Sequence, residues 1–242
     1  MNRIAMIRGI SILAMKNQRE FVDFLMNQNE VKKGKLIAIN AEKVILADED
    51  GKIQQLLREA EYKYADGISV VCSIKKKYSR LQDVERIAGA DLWEALMQRA
   101  GELNIPVFLV GSKAETLTET KSKLIRQWKV NVVGEHDGYF SLEQEEYVIQ
   151  QIKRTGARFV TVAMGSPKQE KFMQSAQKVY SEALYMGVGG TYDVFVGKVK
   201  RAPAIWRNAG LEWLYRLLHQ PSRWNRQRRL LKYVYYYVTK QL

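Results

Sequence analysis

Five short apolar segments recur along this chain of 242 residues, and segments with helical periodicity separate them. Each apolar segment is rich in aliphatic residues throughout, which is typical of strands buried on both faces of a sheet. Such strands, alternating with helices of about ten to fifteen residues, predict an α/β fold of Rossmann-like type, with a parallel sheet and helices on both faces. The predicted strands are Leu36–Asn40, Pro106–Val110, Val130–Gly134, Arg158–Met164 and Ala183–Val188, and the predicted helices are Gly89–Gly101, Ala114–Trp128, Leu142–Thr155 and Pro167–Tyr180.

The last fifth of the chain has a different character. Residues 197–242 contain eleven Lys and Arg and one acid, Glu212, whereas the whole chain has a formal net charge of +13. We predict a Rossmann-like domain over residues 1–195 and a basic, amphipathic helical appendage over residues 196–242. Its last helix separates its side chains by face, with Leu230, Leu231, Val234, Tyr237 and Val238 on one side and Arg226, Arg228, Arg229 and Lys232 mainly on the other.

The composition limits the class of partner and of site. A basic balance favours partners that carry phosphate, namely nucleic acid, anionic lipid or a phosphorylated substrate. The single cysteine, Cys72, excludes an intrachain disulfide and a cysteine-based metal site, and the distant His136 and His219 do not indicate a zinc site. No apolar run reaches the roughly 18 residues that span a bilayer. The N-terminus reads as mature chain, and we expect a cytoplasmic protein.

Ligands of open parallel sheets bind where strands end and helices begin. One loop at such a position is Gly165-Ser166-Pro167-Lys168-Gln169-Glu170. Ser166 and Gln169 fit a capping box, with Pro167 at the first helical position. The loop therefore indicates either an ordinary capped helix or an anion site, in which backbone N–H groups, the helix dipole and Lys168 hold a phosphate.

Two further loops at strand ends contain glycine. Gly187-Val188-Gly189-Gly190-Thr191 allows close approach of a ligand to the backbone, although a tight turn explains it equally well. No Gly-Lys-Ser/Thr follows, so this segment is not a P-loop. Gly111-Ser112-Lys113 is a third loop of this kind with a weaker signal.

Each charged residue near the predicted turns has a structural and a functional interpretation. Asp66, in Ala65-Asp66-Gly67, is either a turn former or a catalytic carboxylate. Asp91 is explained by an N-cap and Arg86 by a surface charge, unless both belong to a site. The chain has no apparent Ser-His-Asp arrangement, metal-ligand cluster or dinucleotide-binding glycine fingerprint.

In combination these motifs resemble the WecG/TagA/CpsF glycosyltransferases, also called glycosyltransferase family 26. The resemblance covers about residues 30–230, and within the family it is strongest to the branch that acts in enterobacterial common antigen synthesis. Eight ordered blocks carry it: Ile39–Lys43, Tyr64–Gly67, Arg86–Asp91, Val107–Gly111, Gly165–Glu170, Gly187–Asp193, Lys198–Pro203 and Gly210–Arg216.

The resemblance implies a Rossmann-like fold of the GT-E type and an inverting transferase that needs no metal or other cofactor. In this branch N-acetylmannosaminuronic acid moves from UDP to the C4 hydroxyl of GlcNAc in undecaprenyl-diphosphate-GlcNAc. The implied partners are therefore the UDP-sugar, the lipid-linked acceptor and the anionic inner face of the cytoplasmic membrane, where the enzyme is peripheral. A homo-oligomer is also implied.

Site residues follow from the resemblance position by position. Asp66 matches the proposed general base, Arg86 and Gln169 match positions that hold substrate, and Asp193 matches a recurrent acidic position. The expected donor-binding residues are Asn40, Arg86, Gly111, Lys168, Gln169, Gly187, Gly189, Gly190 and Asp193. The expected acceptor or membrane residues are Arg216, Arg223 and Arg226.

Two departures from the family pattern and several alternatives remain. Ala38 stands where some relatives have Thr, and Ser112 replaces a second Gly, which leaves UDP-ManNAc open as the donor. A nucleic-acid-binding protein would use the basic tail for phosphate contacts. We expect no nucleic-acid partner, because the basic residues alternate with an apolar stripe and no nucleic-acid motif is present. A Rossmann-like NAD enzyme or methyltransferase is a further alternative, and the absent glycine fingerprint argues against NAD.

Overall fold

The computed structural model describes residues 3–203, 205–206, 214–215 and 224–242. Within these residues the strands form one eight-stranded sheet. The strands are β1 (Ile4–Ile7), β2 (Ile10–Leu13), β3 (Gly34–Ile39), β4 (Tyr62–Ala65), β5 (Val107–Gly111), β6 (Val132–His136), β7 (Phe159–Ala163) and β8 (Leu184–Gly187). Their order across the sheet is β1-β2-β4-β3-β8-β7-β5-β6. All neighbours pair in parallel except β1 and β2, which form an antiparallel hairpin at one edge.

The five predicted strands are confirmed as β3, β5, β6, β7 and β8, and the α/β fold class is correct. The sequence patterns do not predict the hairpin or β4. Arg8 and Gly9 both have positive φ, 47° and 74°, as a two-residue hairpin turn requires, but arginine gives no signal for such a turn. In β4 the charge of Lys63 interrupts the apolar run, although the side chain is buried and its ammonium group donates to the Ala60 carbonyl.

Helices connect the strands and cover the sheet. They are α1 (Gln18–Leu25), α2 (Ala41–Glu49), α3 (Gly51–Arg58), α4 (Ile68–Lys77), a 3₁₀ turn (Ser79–Leu81), α5 (Gly89–Glu102), α6 (Ala114–Trp128), α7 (Leu142–Thr155), α8 (Lys168–Val179), α9 (Thr191–Phe195) and α10 (Trp224–Val238). The four helices predicted inside the Rossmann-like domain are confirmed as α5 to α8, with ends within one residue of those expected.

One local prediction is wrong. Ser166 does not cap α8, which begins at Lys168 without any side-chain cap. The Gln169 side chain, expected to complete a capping box, turns instead toward the glycine-rich loop after β8. A capping box of this type does form at Ser141 and Gln144, at the start of α7. The residue pattern was therefore a correct signal for a helix start but not for the use of Gln169.

Strand pleating divides the core into two apolar layers. In β3, Ile37 and Ile39 pack on one side of the sheet, where α2, α3, α4, α7 and α8 cover it. Leu36 packs on the opposite side, under α1, α5, α6 and α9. Because both faces are covered, the open surface next to the strands is at their ends, where the loops lie.

The last helix, α10, packs on the domain through α2. Tyr233 is 1% exposed and its hydroxyl hydrogen-bonds the Ser73 hydroxyl at 2.8 Å. Lys232 contacts both Asp48 and Glu49 of α2. Arg229 also pairs with Glu49, at 3.0 Å. An aromatic side chain and two cations thus hold the helix against the domain.

The structure shows which side of α10 packs on the domain. Leu231, Val234 and Val238 are exposed, whereas the basic Arg229 and Lys232 lie against the acidic side chains of α2. The amphipathic helix is present, but much of its apolar stripe faces outward. No helix in the described ranges is long and apolar enough to cross a membrane. The division into residues 1–195 and 196–242 stays a prediction.

We expect Tyr233→Ala to lower the free energy of unfolding by about 3 kcal/mol, because it removes a buried aromatic ring. Leu231→Ala is the matched control on the same helix, since Leu231 is 72% exposed and its loss should change stability by about 0.5 kcal/mol or less. Urea unfolding followed by circular dichroism measures both. Equal effects of the two substitutions would contradict the observed packing of α10.

Candidate active site

Four adjacent strands, β4, β3, β8 and β7, deliver the predicted site loops to one edge of the sheet. They pair in parallel, so all four carboxyl ends lie at that edge. Asp66 follows β4, Asn40 follows β3, Gly187 ends β8, and Gly165 lies just beyond β7. At about 4.8 Å per strand, these ends span about 14 Å. The sheet therefore brings together four segments that are far apart in the chain.

The Asp66 turn is fixed by backbone contacts on both sides. The amide of Asp66 donates to the Ile39 carbonyl at 3.0 Å, which ties the end of β4 to the end of β3. One carboxylate oxygen of Asp66 accepts from the Gly89 amide at 3.0 Å, at the start of α5. Arg86 Nε donates to the Asp66 carbonyl at 2.6 Å. The structure thus brings the predicted Asp66 and Arg86 together.

Asn40 lies beside this turn. Its side chain caps α2 by accepting from the Lys43 amide at 2.9 Å. A Cβ at Gly67 would stand 3.2 Å from the Asn40 Cα, so glycine allows the two loops to approach closely. Asn40, Asp66 and Arg86 therefore form one cluster at the ends of β3 and β4.

A buried tyrosine lies next to the cluster of Asn40, Asp66 and Arg86. Tyr64 is 1% exposed, and its hydroxyl oxygen lies 3.1 Å from where a Cβ of Gly89 would be. Burial, and to a lesser degree the charge of Asp66, raise the pKa of Tyr64 well above its ordinary value of 10. The hydroxyl keeps its proton, and it has no hydrogen-bond partner within the described residues. Its place directly before Ala65-Asp66 was visible in the sequence, but its burial was not.

Gln169 holds the glycine-rich loop after β8. Its side-chain carbonyl oxygen accepts from the Gly189 amide at 2.9 Å. A Cβ at Gly187 would stand only 2.5 Å from Gln169 Nε2, so the strand end fits closely against the amide group. Gly189 has φ +54°. A Cβ added at Gly189 or at Gly190 would have no neighbouring atom within 4 Å. The loop is thus held at one end and has open space at its tip.

A buried ion pair joins α2, which follows β3, to α8, which follows β7. No role for this pair was predicted from the sequence. Lys43 Nζ donates to Glu170 Oε1 at 2.8 Å, and the two side chains are 11% and 3% exposed. Burial by itself would raise the pKa of Glu170, but the charge and hydrogen bond of Lys43, with a hydrogen bond from Gln169, hold that pKa below its ordinary value of 4.5. Both residues lie in the motif blocks, which was the available signal.

Gly111 and Lys168 have contacts of a different kind. Gly111 has φ +108°, and a Cβ there would stand 2.5 Å from the Ala163 carbonyl oxygen, so its glycine is required by close packing of β5 on β7. Lys168 Nζ donates to the Gly138 carbonyl at 3.1 Å, beside the Phe140 ring. Phosphate binding by Lys168 and donor binding by Gly111 stay predictions.

Asp193 and Asp91 belong to a second set of contacts around α5, α6 and α9. Asp193 accepts from the Thr116 hydroxyl at 3.4 Å, which links α9 to α6. Asp91 does not cap α5, as one reading of the sequence had it, because α5 begins at Gly89 and Asp91 forms a two-hydrogen-bond ion pair with Arg201. The role of Asp193 in donor binding stays a prediction. Arg216 and Arg223 lie outside the described residues, as does the side chain of Arg226 in α10.

The family model for the glycosyl transferase WecG/TagA/CpsF family matches residues 5–242. The chain belongs to this family. Membership in the WecG/TagA/CpsF family makes the protein a glycosyltransferase and implies in general a sugar-nucleotide donor and a lipid-linked acceptor. The loops at the carboxyl edge are therefore the candidate active site of this transferase.

Ser112, which departs from the family pattern, has an unusual backbone conformation. Ser112 has φ +60°, in the left-handed region that favours glycine. Its amide donates to the Ala163 carbonyl at 2.9 Å, and its carbonyl accepts from the Gly138 amide at 3.0 Å. The serine thus has a backbone conformation that glycine adopts more easily.

In the part of the chain that the structure describes, no three His, Cys, Asp or Glu side chains are grouped so that they could hold a metal ion. Metal independence of this WecG/TagA/CpsF member stays a prediction.

Two glycines of the site should respond differently to alanine. Gly111→Ala should lower the free energy of unfolding by about 2 kcal/mol or more, since it combines a positive φ with a backbone clash. Gly190→Ala is the matched control, because open space surrounds the new methyl group, and its stability should be near wild type. Thermal unfolding measures both. A Gly190→Ala protein that is as unstable as Gly111→Ala would contradict the open loop tip.

Proposed function

We propose that the protein transfers N-acetylmannosaminuronic acid from UDP to the C4 hydroxyl of GlcNAc in undecaprenyl-diphosphate-GlcNAc, with inversion at the anomeric carbon. Family membership supports the reaction class. The versions of the blocks at Ile39–Lys43 and Tyr64–Gly67 support the donor and the pathway branch. The observation that carries the mechanism is the orientation of Asp66 by the Gly89 amide at the open edge of the sheet.

Asp66 is the proposed general base. Inverting transfer needs one base that accepts the proton of the acceptor hydroxyl as its oxygen attacks the anomeric carbon and the bond to UDP breaks. A carboxylate held by a backbone amide on a short turn between β4 and α4 is already oriented for this role. Its backbone is held further by Arg86 and by the Ile39 carbonyl. We therefore place the acceptor hydroxyl against Asp66.

The departing UDP is the other charge that the site must stabilise. Backbone N–H groups and cations lower the energy of a leaving diphosphate without a metal. The open tip at Gly190, next to the start of α8, offers backbone to such a group, while the neighbouring Gly189 amide is held by Gln169. Lys168 and the tail residues Arg216 and Arg223 are the proposed cationic contributors. The diphosphate would then lie about two strands away from Asp66, within the 14 Å or so that the strand ends span.

Asp66→Asn is a sharp test, because asparagine keeps an oxygen for the Gly89 amide and removes the basic carboxylate. We expect it to lower transfer from UDP-ManNAcA to a lipid-diphosphate-GlcNAc acceptor in vesicles by about 10²-fold or more, with unchanged unfolding. Asp137→Asn is the matched control. Asp137 also precedes a glycine and follows a strand, and its carboxylate accepts from the Tyr139 amide at 2.8 Å. It differs in position, because it follows β6, the outermost strand on one side of the sheet.

This assay tests the proposed donor and the proposed reaction separately. Product from UDP-ManNAcA alone, lost in Asp66→Asn and kept in Asp137→Asn, supports the whole proposal. Product from UDP-ManNAc instead would keep the mechanism and overturn the donor. No product from either donor with wild-type protein would overturn the proposed reaction.

We also propose that the protein acts at the anionic inner face of the cytoplasmic membrane, with α10 as a contact element. The outward-facing Leu231, Val234 and Val238 offer apolar area to a bilayer interface. The exposed Lys76 and Lys77, at the end of α4, flank α10, and both donate to backbone carbonyls of the C-terminal segment. Each cation near an anionic leaflet contributes about 1 kcal/mol. Apolar and basic groups thus occur on the same surface.

Replacing Leu231, Val234 and Val238 together by Ser should weaken binding to phosphatidylglycerol vesicles by about tenfold or more, because apolar area is removed. Ile125→Ser with Tyr147→Ser is the control, since these exposed apolar residues lie on α6 and α7. Vesicle co-sedimentation measures both, with duplex DNA and phosphatidylcholine vesicles in parallel. Unchanged vesicle binding in the α10 variant, or binding to DNA but not to vesicles, would contradict the proposal.

A further inference from the structure

We propose that Lys43 and Glu170 are positioning residues that fix the side-chain orientation of Gln169, and through it the backbone of the Gly187–Gly190 loop where the nucleotide part of the donor binds. The inference rests on the proposed function for the identity of the ligand. It assigns a role to a buried pair whose members are 127 residues apart in the chain.

The contacts form a continuous series from α2 to the loop. Lys43 Nζ donates to Glu170 Oε1 at 2.8 Å. The same oxygen accepts from Gln169 Nε2 at 3.2 Å. The other end of the Gln169 amide, its carbonyl oxygen, accepts from the Gly189 amide at 2.9 Å. A charge on α2 is therefore linked to the backbone of the loop through three successive hydrogen bonds.

The chemistry of these groups selects one of the two orientations of the Gln169 amide. An ionised carboxylate only accepts hydrogen bonds, so it must face the NH₂ group of Gln169. The carbonyl oxygen is then directed at the Gly189 amide, which needs an acceptor. If the amide were reversed, two acceptors would meet at Glu170 and two donors would meet at Gly189. Lys43 keeps Glu170 ionised, so Glu170 continues to favour this orientation of the Gln169 amide.

The fit around Gln169 leaves little room for another arrangement. A Cβ at Gly187 would stand 2.5 Å from Nε2, so a displaced Gln169 side chain would press on the end of β8. Gln169 itself is 5% exposed. A change in its orientation therefore removes the hydrogen bond that holds the Gly189 amide.

Stability alone is a poor explanation for the pair. A buried ion pair is often no more stabilising than apolar side chains of similar volume. Here the second carboxylate oxygen of Glu170 is buried and has no hydrogen-bond partner in the described part of the chain. The location of the pair is informative instead. Lys43 is in the first turn of α2, three residues after Asn40, and Glu170 is in the first turn of α8, directly after Gln169.

Glu170→Met tests the selection, because it removes the oxygen that accepts from both Lys43 Nζ and Gln169 Nε2, so residue 170 no longer dictates the Gln169 orientation. We expect UDP affinity, measured by calorimetry with UDP alone, to fall about tenfold or more, since small misplacements of binding groups have effects of this size. The KM for the UDP-sugar should rise by a similar factor while kcat falls less than threefold. Lys43→Arg, which keeps the charge, should retain most of the affinity.

Two further variants separate positioning from folding. Lys43→Met with Glu170→Met replaces the pair by apolar groups, and we expect near wild-type unfolding with the same loss of UDP affinity. Lys33→Met with Glu182→Gln is the matched control, since this 2.5 Å ion pair is about half exposed and lies far from the site in the sheet, at the amino ends of β3 and β8. The control should bind UDP as the wild type does.

The outcomes distinguish this inference from the proposed function. Wild-type protein that neither binds UDP nor transfers sugar would overturn the proposed function and the ligand assumed here. Wild-type protein that binds UDP, together with Glu170→Met or the double Met variant that binds it equally well, would overturn the positioning role alone. A rise in KM in Glu170→Met and the double Met variant but not in Lys43→Arg, with normal unfolding of the double Met variant, supports it.

Discussion

The parallel pairing of β4, β3, β8 and β7 is the constraint on which the candidate site depends. Parallel strands end at the same edge, and helices cover both faces of this sheet, so the loops at that edge are where a ligand can reach several strands at once. Asp66, Asn40, Gly165 and Gly187 come together for this reason alone. Any of these loops in isolation would be an ordinary turn.

The polar groups at this edge are connected to one another, which distinguishes them from turns with separate hydrogen bonds. The Asp66 carboxylate holds the start of α5, and the Gln169 amide holds the loop after β8. The Lys43–Glu170 pair joins α2 to α8 between them. In a family of sugar transferases, fixed polar groups of this kind are what the proposed proton acceptor and the proposed diphosphate site require.

The C-terminal helix shows that tertiary contacts decide which face of an amphipathic helix packs on the domain. The aromatic ring of Tyr233 fits the core of the domain, and the acids Asp48 and Glu49 attract Arg229 and Lys232. Both interactions turn part of the apolar stripe outward. A surface that would be buried in an ordinary domain helix is thereby available to the membrane partner that we propose.

Hydrophobic periodicity and ordered motifs are local properties of the chain, and they were enough to predict the α/β class, five of the strands, helices α5 to α8 and the family. They did not reveal β4 or the N-terminal hairpin, since Lys63 and the Arg8–Gly9 turn carry weak local signals. The contacts of Gln169 with the glycine-rich loop, of Lys168 with Gly138 and of Lys43 with Glu170 became visible in the folded chain alone. These contacts depend on which side chains from distant segments share a buried space, and no local pattern encodes that.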